Sequence, residues 1–91
     1  MKRPPPEEAR RLKEELYAGI EAGTIGLQEA SRRMRQILGL SQAVYATRVL
    51  KISPRVLIDF ERGVGNPTLN TLRKIGSPFG LDLGFVRKTS P

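Results

Sequence analysis

The sequence predicts an all-α domain of five short helices. In five segments the apolar residues recur every three or four positions, which is the spacing of one face of a helix. Several of these segments begin after a serine or threonine and end at a glycine, as helices commonly do. Only one short segment, near the end of the chain, alternates with a period of two, so sheet structure is expected to be minor.

The chain opens with a proline-rich arm followed by a helix. Residues 1–6 are too polar for a core, and we expect a mobile arm up to Pro6, which is well suited to the first turn of a helix. The first helix is predicted over 7–22. Its apolar residues are spaced by four and are Leu12, Leu16 and Ile20.

Glycines and caps delimit the other four helices. The glycine-containing segment 23–26 is a connector. The predicted helices that follow cover 27–38, 41–50, 53–62 and 68–79. Ser41, Ser53 and Thr68 are suitable N-caps for the last three of them. Pro54 lies in the first turn of the fourth helix, where proline is favoured.

The segment LDLGFV, residues 81–86, predicts a short β-strand. Its apolar side chains are Leu81, Leu83, Phe85 and Val86. A lone strand is not stable, because its backbone groups need a partner. The chain offers no second convincing strand, so the favoured partner is the same strand of another copy. The alternative is a strand that folds onto its own subunit.

Charge and composition restrict the possible functions. The chain carries 16 Lys and Arg against 9 Asp and Glu, a net charge of +7, which favours a polyanionic partner such as double-stranded DNA. It has no cysteine and no histidine, so we expect no metal, no cofactor and no enzymatic activity. It has no apolar run long enough to span a membrane and no apolar signal-peptide core, so a cytoplasmic, nucleoid-associated protein with no membrane partner is expected.

The centre of the chain follows the helix-turn-helix plan, in which the second helix enters the major groove. Arg55 lies near the start of that helix, where two parallel hydrogen bonds to guanine are possible. Val56 is placed to touch a thymine methyl group. Asp59 either accepts from cytosine or orients Arg55 from one turn away. The residues themselves therefore make Arg55, Val56 and Asp59 candidate base readers.

Residues 27–75 resemble the lambda-repressor-like, Xre-type helix-turn-helix domain. The resemblance is carried by LGLSQ at 38–42, by SPRVLIDFERG at 53–63 and by NPTLNTL at 66–72. It implies that the residues facing the groove and reading bases are Ser53, Pro54, Arg55, Val56 and Asp59. It implies that Gln42 contacts a phosphate and helps to position the recognition helix. It also implies a structural ion pair between Arg35 and Glu61. The full set of expected phosphate contacts is Gln42, Arg35, Lys51, Arg62, Asn66 and Thr68.

The chain departs from this family in the turn between the two motif helices. The family usually has a glycine four residues after the alanine that matches Ala46, and this chain has Leu50 there. The stretch between Val49 and Ser53 is one residue longer than usual. We therefore expect Lys51 to take the left-handed turn position, at some cost because it has a Cβ atom.

The two ends of the chain more loosely resemble small antitoxin repressors that are encoded beside kinase-like toxins. This resemblance implies that the tail strand pairs across a dimer. The chain is then organised as an arm, an added N-terminal helix, a DNA-binding core and a dimerisation strand with its tail. These parts cover 1–6, 7–24, 25–80 and 81–91.

Two functions remain open at this point. The first is a sequence-specific repressor that binds an inverted repeat as a homodimer. The second is an antitoxin-type interaction module that sequesters a toxin and regulates its own operon, with the apolar stripe of the first helix, residues 12–20, and the tail as docking surfaces. The arm is either a basic segment for the minor groove or a disordered tail.

Overall fold

The computed structural model describes residues 2–87. The ends of the predicted arm and tail, Met1 and 88–91, lie outside the described residues. The helices are α1 (Pro6–Ala22), α2 (Leu27–Leu38), α3 (Gln42–Val44) continued by a π-helix (Tyr45–Leu50), α4 (Pro54–Glu61), and α5 (Leu69–Gly76) continued by a 3₁₀ turn (Ser77–Phe79). The all-helical prediction is confirmed for this part of the chain. No described helix is both long and apolar enough to cross a membrane.

The predicted caps are present. Ser41 accepts a hydrogen bond from the backbone of Val44, Ser53 from Arg55, and Thr68 from Thr71. Each hydroxyl satisfies a backbone donor that has no partner inside its helix. Local side-chain chemistry therefore sets where α3, α4 and α5 begin.

The added helix α1 packs along α2 and completes the core. Leu16 is fully buried, and Leu12 and Ile20 are partly buried against the same cluster. Tyr17 donates a hydrogen bond of 2.8 Å to the carbonyl of Phe79, which ties α1 to the end of the domain. The packing of this stripe in its own domain argues against its use as a docking surface for a partner protein.

Tyr45 lies at the centre of the core. Its side chain is fully buried, and its hydroxyl donates to the carbonyl of Ile75 at 3.4 Å. Burial raises the pKa of Tyr45 to about 12, and the nearby carboxylate of Glu61 acts in the same direction, while Arg35 acts against it. The neutral phenol is therefore a packing element and does not reach the surface.

The turn between the motif helices differs from an ordinary α-helical ending. The six residues before it form a π-helix, in which each hydrogen bond spans one residue more than in an α-helix. Lys51 then adopts the left-handed conformation, with φ 59° and ψ 45°, as its position in the sequence predicts. Ile52 closes the turn by donating to the carbonyl of Ala46.

Replacing Lys51 with glycine is expected to raise the free energy of unfolding by up to about 1 kcal/mol. A side chain with a Cβ atom is strained in the left-handed region, and glycine is not. Urea unfolding of the two proteins measures the difference. The matched control is Arg48→Gly inside the π-helix. This substitution should lower the free energy of unfolding by roughly 0.5–1 kcal/mol. If Lys51→Gly and Arg48→Gly lowered the free energy of unfolding equally, Lys51 would not be strained.

The tail forms no strand in the described residues of the single chain. Its first residues fold onto their own subunit. The backbone N–H of Leu81 donates to the carbonyl of Gly76, and the Oδ1 atom of Asp82 lies 3.5 Å from the Nε atom of Arg73. Leu83 is half-buried, whereas Phe85 and Val86 are exposed. A strand needs a hydrogen-bonded neighbour, and within residues 2–87 no other segment provides one. The predicted pairing therefore depends on a second copy, and Leu81 is already committed to its own core.

Candidate nucleic-acid interface

The helix α4 has one buried face and one exposed face. Leu57, Phe60 and Glu61 are buried against the rest of the domain. Ser53, Arg55 and Val56 are exposed. Pro54 and Asp59, the other two candidate base readers, are half-buried at the edge between the faces. The exposed residues lie at the start of the helix, which is the end that reaches base edges in a helix-turn-helix domain.

Arg55 and Asp59 form a loose pair across one turn of α4. The guanidinium Nη1 lies 3.8 Å from the Oδ1 atom of Asp59, beyond hydrogen-bonding distance, and 73% of the Arg55 side chain is exposed. A pair this exposed contributes little to stability, about 0.3–0.5 kcal/mol. Arg55 is therefore not committed to the fold, and Asp59 lies where it can bias the orientation of Arg55.

A buried carboxylate, that of Glu61, holds the other end of α4. Arg35 donates to both of its oxygens, at 3.1 and 2.8 Å, and Ser31 and Gln42 donate at 2.7 and 3.0 Å. The Glu61 side chain is 2% exposed. Burial alone would raise the pKa of Glu61, but the hydrogen bonds from Arg35, Ser31 and Gln42 outweigh it and lower that pKa below its ordinary value.

The ion pair of Arg35 and Glu61 that the resemblance implies is present in the structure. The same geometry corrects the second role expected for Arg35, a phosphate contact. Its guanidinium is almost wholly buried, is bound to Glu61, and approaches the carbonyl of Leu40 at 3.4 Å. A charge that is buried and paired in this way cannot reach solvent without breaking the cluster, so Arg35 is a structural residue.

Gln42 joins the start of α3 to the end of α4. It is half-buried, and its side-chain amide donates to Glu61. This contact matches the positioning part of its expected role. The other candidate phosphate contacts are all exposed, with Lys51 in the turn and the rest after the end of α4. These later residues are Arg62, Asn66 and Thr68.

Sequence reasoning missed two residues of the Glu61 cluster. Ser31 is fully buried and bonds the carboxylate directly. From the sequence, Arg32 is interpreted as an exposed residue on the surface of α2. In the structure it donates a hydrogen bond of 2.6 Å to the backbone carbonyl of Glu61 and also binds Glu29. Ser31 lies four residues before Arg35 and thus on the same face of α2, which is the one signal in the sequence for its burial.

Comparisons with known proteins agree with this geometry. A family model described as Helix-turn-helix matches residues 32–86, which is more than half of the chain and runs from within α2 into the tail. Helix α1 lies outside the match. Neither the curated proteins nor the solved structures include a significant match to the chain. The described residues contain no group of side chains able to hold a metal ion.

Proposed function

The chain belongs to the Xre-type, lambda-repressor-like helix-turn-helix family of DNA-binding regulators, and from this premise we propose that it is a homodimeric repressor that reads an inverted repeat through α4. Members of this family are regulatory DNA-binding domains rather than enzymes. The observation that carries the proposal is the two-faced α4. One end is tied into the core through Glu61, and the other exposes Arg55.

Arg55 is the base reader in this proposal. Its planar guanidinium can donate two parallel hydrogen bonds to one guanine in the major groove. The loose pair with Asp59 favours orientations along the helix without holding the side chain away from DNA. Val56 is exposed next to Arg55 and would contact a thymine methyl group. Ser53 and Pro54 would approach the same groove, since they precede Arg55 at the helix start.

Exposed residues around α4 would contact the DNA backbone. Lys51 precedes the helix, Arg62 follows it, and Asn66 and Thr68 lie on the way to α5. Phosphate contacts set the register of a helix-turn-helix domain on its site and supply most of the salt-dependent affinity. The excess of positive charge in the chain supports this distribution.

The tail would join two copies of the chain. Phe85 and Val86 are exposed apolar residues, and burying the phenylalanine alone is worth roughly 1.5–3 kcal/mol. A groove of about 710 Å³ lies beside the tail and is lined by Leu27, Leu72 and Leu83, among other residues. We assign this groove to the tail of a second copy, because the exposed Val86 lines it and the exposed Phe85 is the next residue along the chain. For the alternative function, sequestering a toxin, the packing of the α1 stripe in its own domain leaves the tail and this groove as the candidate docking surface.

Selection of genomic DNA fragments on the purified protein tests the proposal. The enriched sequences should contain an inverted repeat whose half-sites are one helical turn apart, about 34 Å, or a multiple of that distance. Light scattering should give twice the chain mass of 10.1 kDa. Enrichment of no shared motif, or of a single half-site by a monomer, would contradict the proposal.

A matched pair of variants tests the tail. Phe85→Glu should shift the protein toward a monomer and weaken binding to the inverted repeat, because the charge opposes burial of the tail. Val64→Glu places the same charge on an exposed apolar residue outside the tail and should leave the mass unchanged. If both variants stay dimeric, the interface lies elsewhere on the molecule.

A further inference from the structure

The segment before α1 is placed against the turn that leads into the helix-turn-helix motif. A Cβ atom on Gly39 would clash with the Cα atom and the backbone nitrogen of Arg3. The backbone of Arg3 therefore occupies the space that a side chain at position 39 would need. Pro4, the next residue, is half-buried. Residues 2–5, here named the N-terminal arm, thus lie on the turn between α2 and α3.

The proline run stiffens this placement. Pro5 has φ −56° and ψ 154°, the extended polyproline conformation, and Pro6 begins α1. Consecutive prolines restrict the backbone, so the arm loses little conformational freedom when it is held in place. In the structure residues 2–5 follow a course set by the prolines and by the bare backbone of Gly39.

The arm brings two positive charges next to the DNA-binding motif. Gly39 is three residues from Gln42, so the two lie within about 11 Å of each other. The side chains of Lys2 and Arg3 are exposed, and no carboxylate of the described residues forms a salt bridge with either. By contrast, Arg33 and Arg11 are bound to acidic neighbours on their own helices.

We propose that Lys2 and Arg3 are phosphate contacts, held by Gly39 beside the start of the motif so that the arm extends the interface along the DNA backbone. The inference rests on the proposed function and adds a positioning element that lies outside the residues matched by the family. The partner is the phosphate backbone rather than base edges, because a charge at this place adds affinity without reading sequence. Glu7 and Glu8 lie in the first turn of α1, and their negative charges would repel the DNA phosphates. The contact is therefore limited to Lys2 and Arg3.

Salt-dependent binding of the arm variant tests the inference. Binding is measured on two duplexes, the fragment selected by the wild-type protein and an unrelated sequence. The salt concentration is varied between about 50 and 200 mM. For Lys2→Ala/Arg3→Ala, the slope of log K against log salt should fall by about 0.9 for each lost contact, or about 1.8 in total, on both duplexes. The control Lys13→Ala/Lys74→Ala removes two charges on the exposed sides of α1 and α5 and should change the slope less.

A glycine pair tests whether Gly39 places the arm. Gly39 and Gly23 both follow a helix in the left-handed conformation, with φ 70° and 74°, so alanine causes similar backbone strain at each. Only at Gly39 would the new Cβ atom meet the arm, since nothing lies within 4 Å at Gly23. Gly39→Ala should lower the salt slope as the arm variant does, and Gly23→Ala should keep the wild-type slope.

The outcomes separate this inference from the function itself. If the wild-type protein selects no DNA, the proposed function fails. If it binds and the arm variant matches its charge control, the inference is overturned while the proposed function stands. A changed base preference with an unchanged slope would mean that the arm reads bases, which also overturns it. Equal slopes in the two glycine variants would refute the positioning role of Gly39.

Discussion

Replacing Glu61 with alanine is expected to lower the free energy of unfolding by about 3–5 kcal/mol. The substitution leaves the guanidinium of Arg35 buried without its partner and removes the acceptor of Ser31 and Gln42. A domain of this size has a total stability of roughly 5–15 kcal/mol, so the variant should be partly unfolded at moderate temperature. Urea unfolding followed by circular dichroism measures the loss.

Glu29→Ala is the matched control for this prediction. Glu29 also binds two arginines, Arg32 and Arg33, at 3.1 and 3.0 Å, but 44% of its side chain is exposed. Pairs on the surface are worth about 0–1 kcal/mol, because water screens them. The contrast between the two variants therefore separates a buried carboxylate with its full set of donors from a surface ion pair. Similar losses would show that the cluster around Glu61 is no more important than a surface pair.

The same carboxylate makes the stability of the domain sensitive to acid. The pKa of Glu61 is lower in the folded protein than its ordinary value of 4.5. Its contribution is therefore present above pH 4.5, where both folded and unfolded chains are ionised, and is lost as the pH falls through the folded-state pKa. Glu61→Gln should show a smaller loss of stability than the wild-type protein below pH 4.5.

Replacing Arg55 with alanine is expected to remove most of the preference for the selected DNA site. A bidentate contact to guanine is worth about 1–3 kcal/mol of discrimination, so specific binding should weaken about fivefold to 140-fold, while binding to unrelated DNA changes much less. Fold stability should change by less than about 0.5 kcal/mol, because the pair with Asp59 is loose and exposed. Titration of the selected duplex and of an unrelated duplex at one fixed salt concentration gives the ratio of the two dissociation constants.

Two arginine variants serve as controls for Arg55→Ala. Arg62→Ala removes an exposed arginine at the other end of α4, where a phosphate contact is proposed. It should weaken binding to all sequences and reduce the salt slope by about 1. Arg55→Lys keeps the charge but not the planar pair of donors and should still lose preference. If Arg62→Ala changed the preference as much as Arg55→Ala, the base-reading role of Arg55 would be wrong.

Most of the secondary structure could be predicted because its signals are local. The caps Ser41, Ser53 and Thr68 and the apolar spacing within each helix act over a few residues. The left-handed position of Lys51 was also predicted, because the family that the chain resembles has a glycine in this turn and this chain has Leu50 in its place. The π-helix before it was not predicted, since nothing in the sequence of residues 45–50 distinguishes it from an ordinary α-helix.

The amino-acid sequence by itself determined the helical class, the family resemblance and the identity of the exposed arginine on α4. The tertiary structure decided what each charged or apolar group does. Arg32 and Arg33 look alike in sequence, yet Arg32 donates to the backbone carbonyl of Glu61 across the domain, whereas Arg33 binds Glu29 on its own helix. The approach of the N-terminal arm to Gly39 is likewise a long-range contact that the sequence does not show. Burial and long-range contact set the free energy of a charge, and neither quantity is encoded in a residue's immediate neighbours.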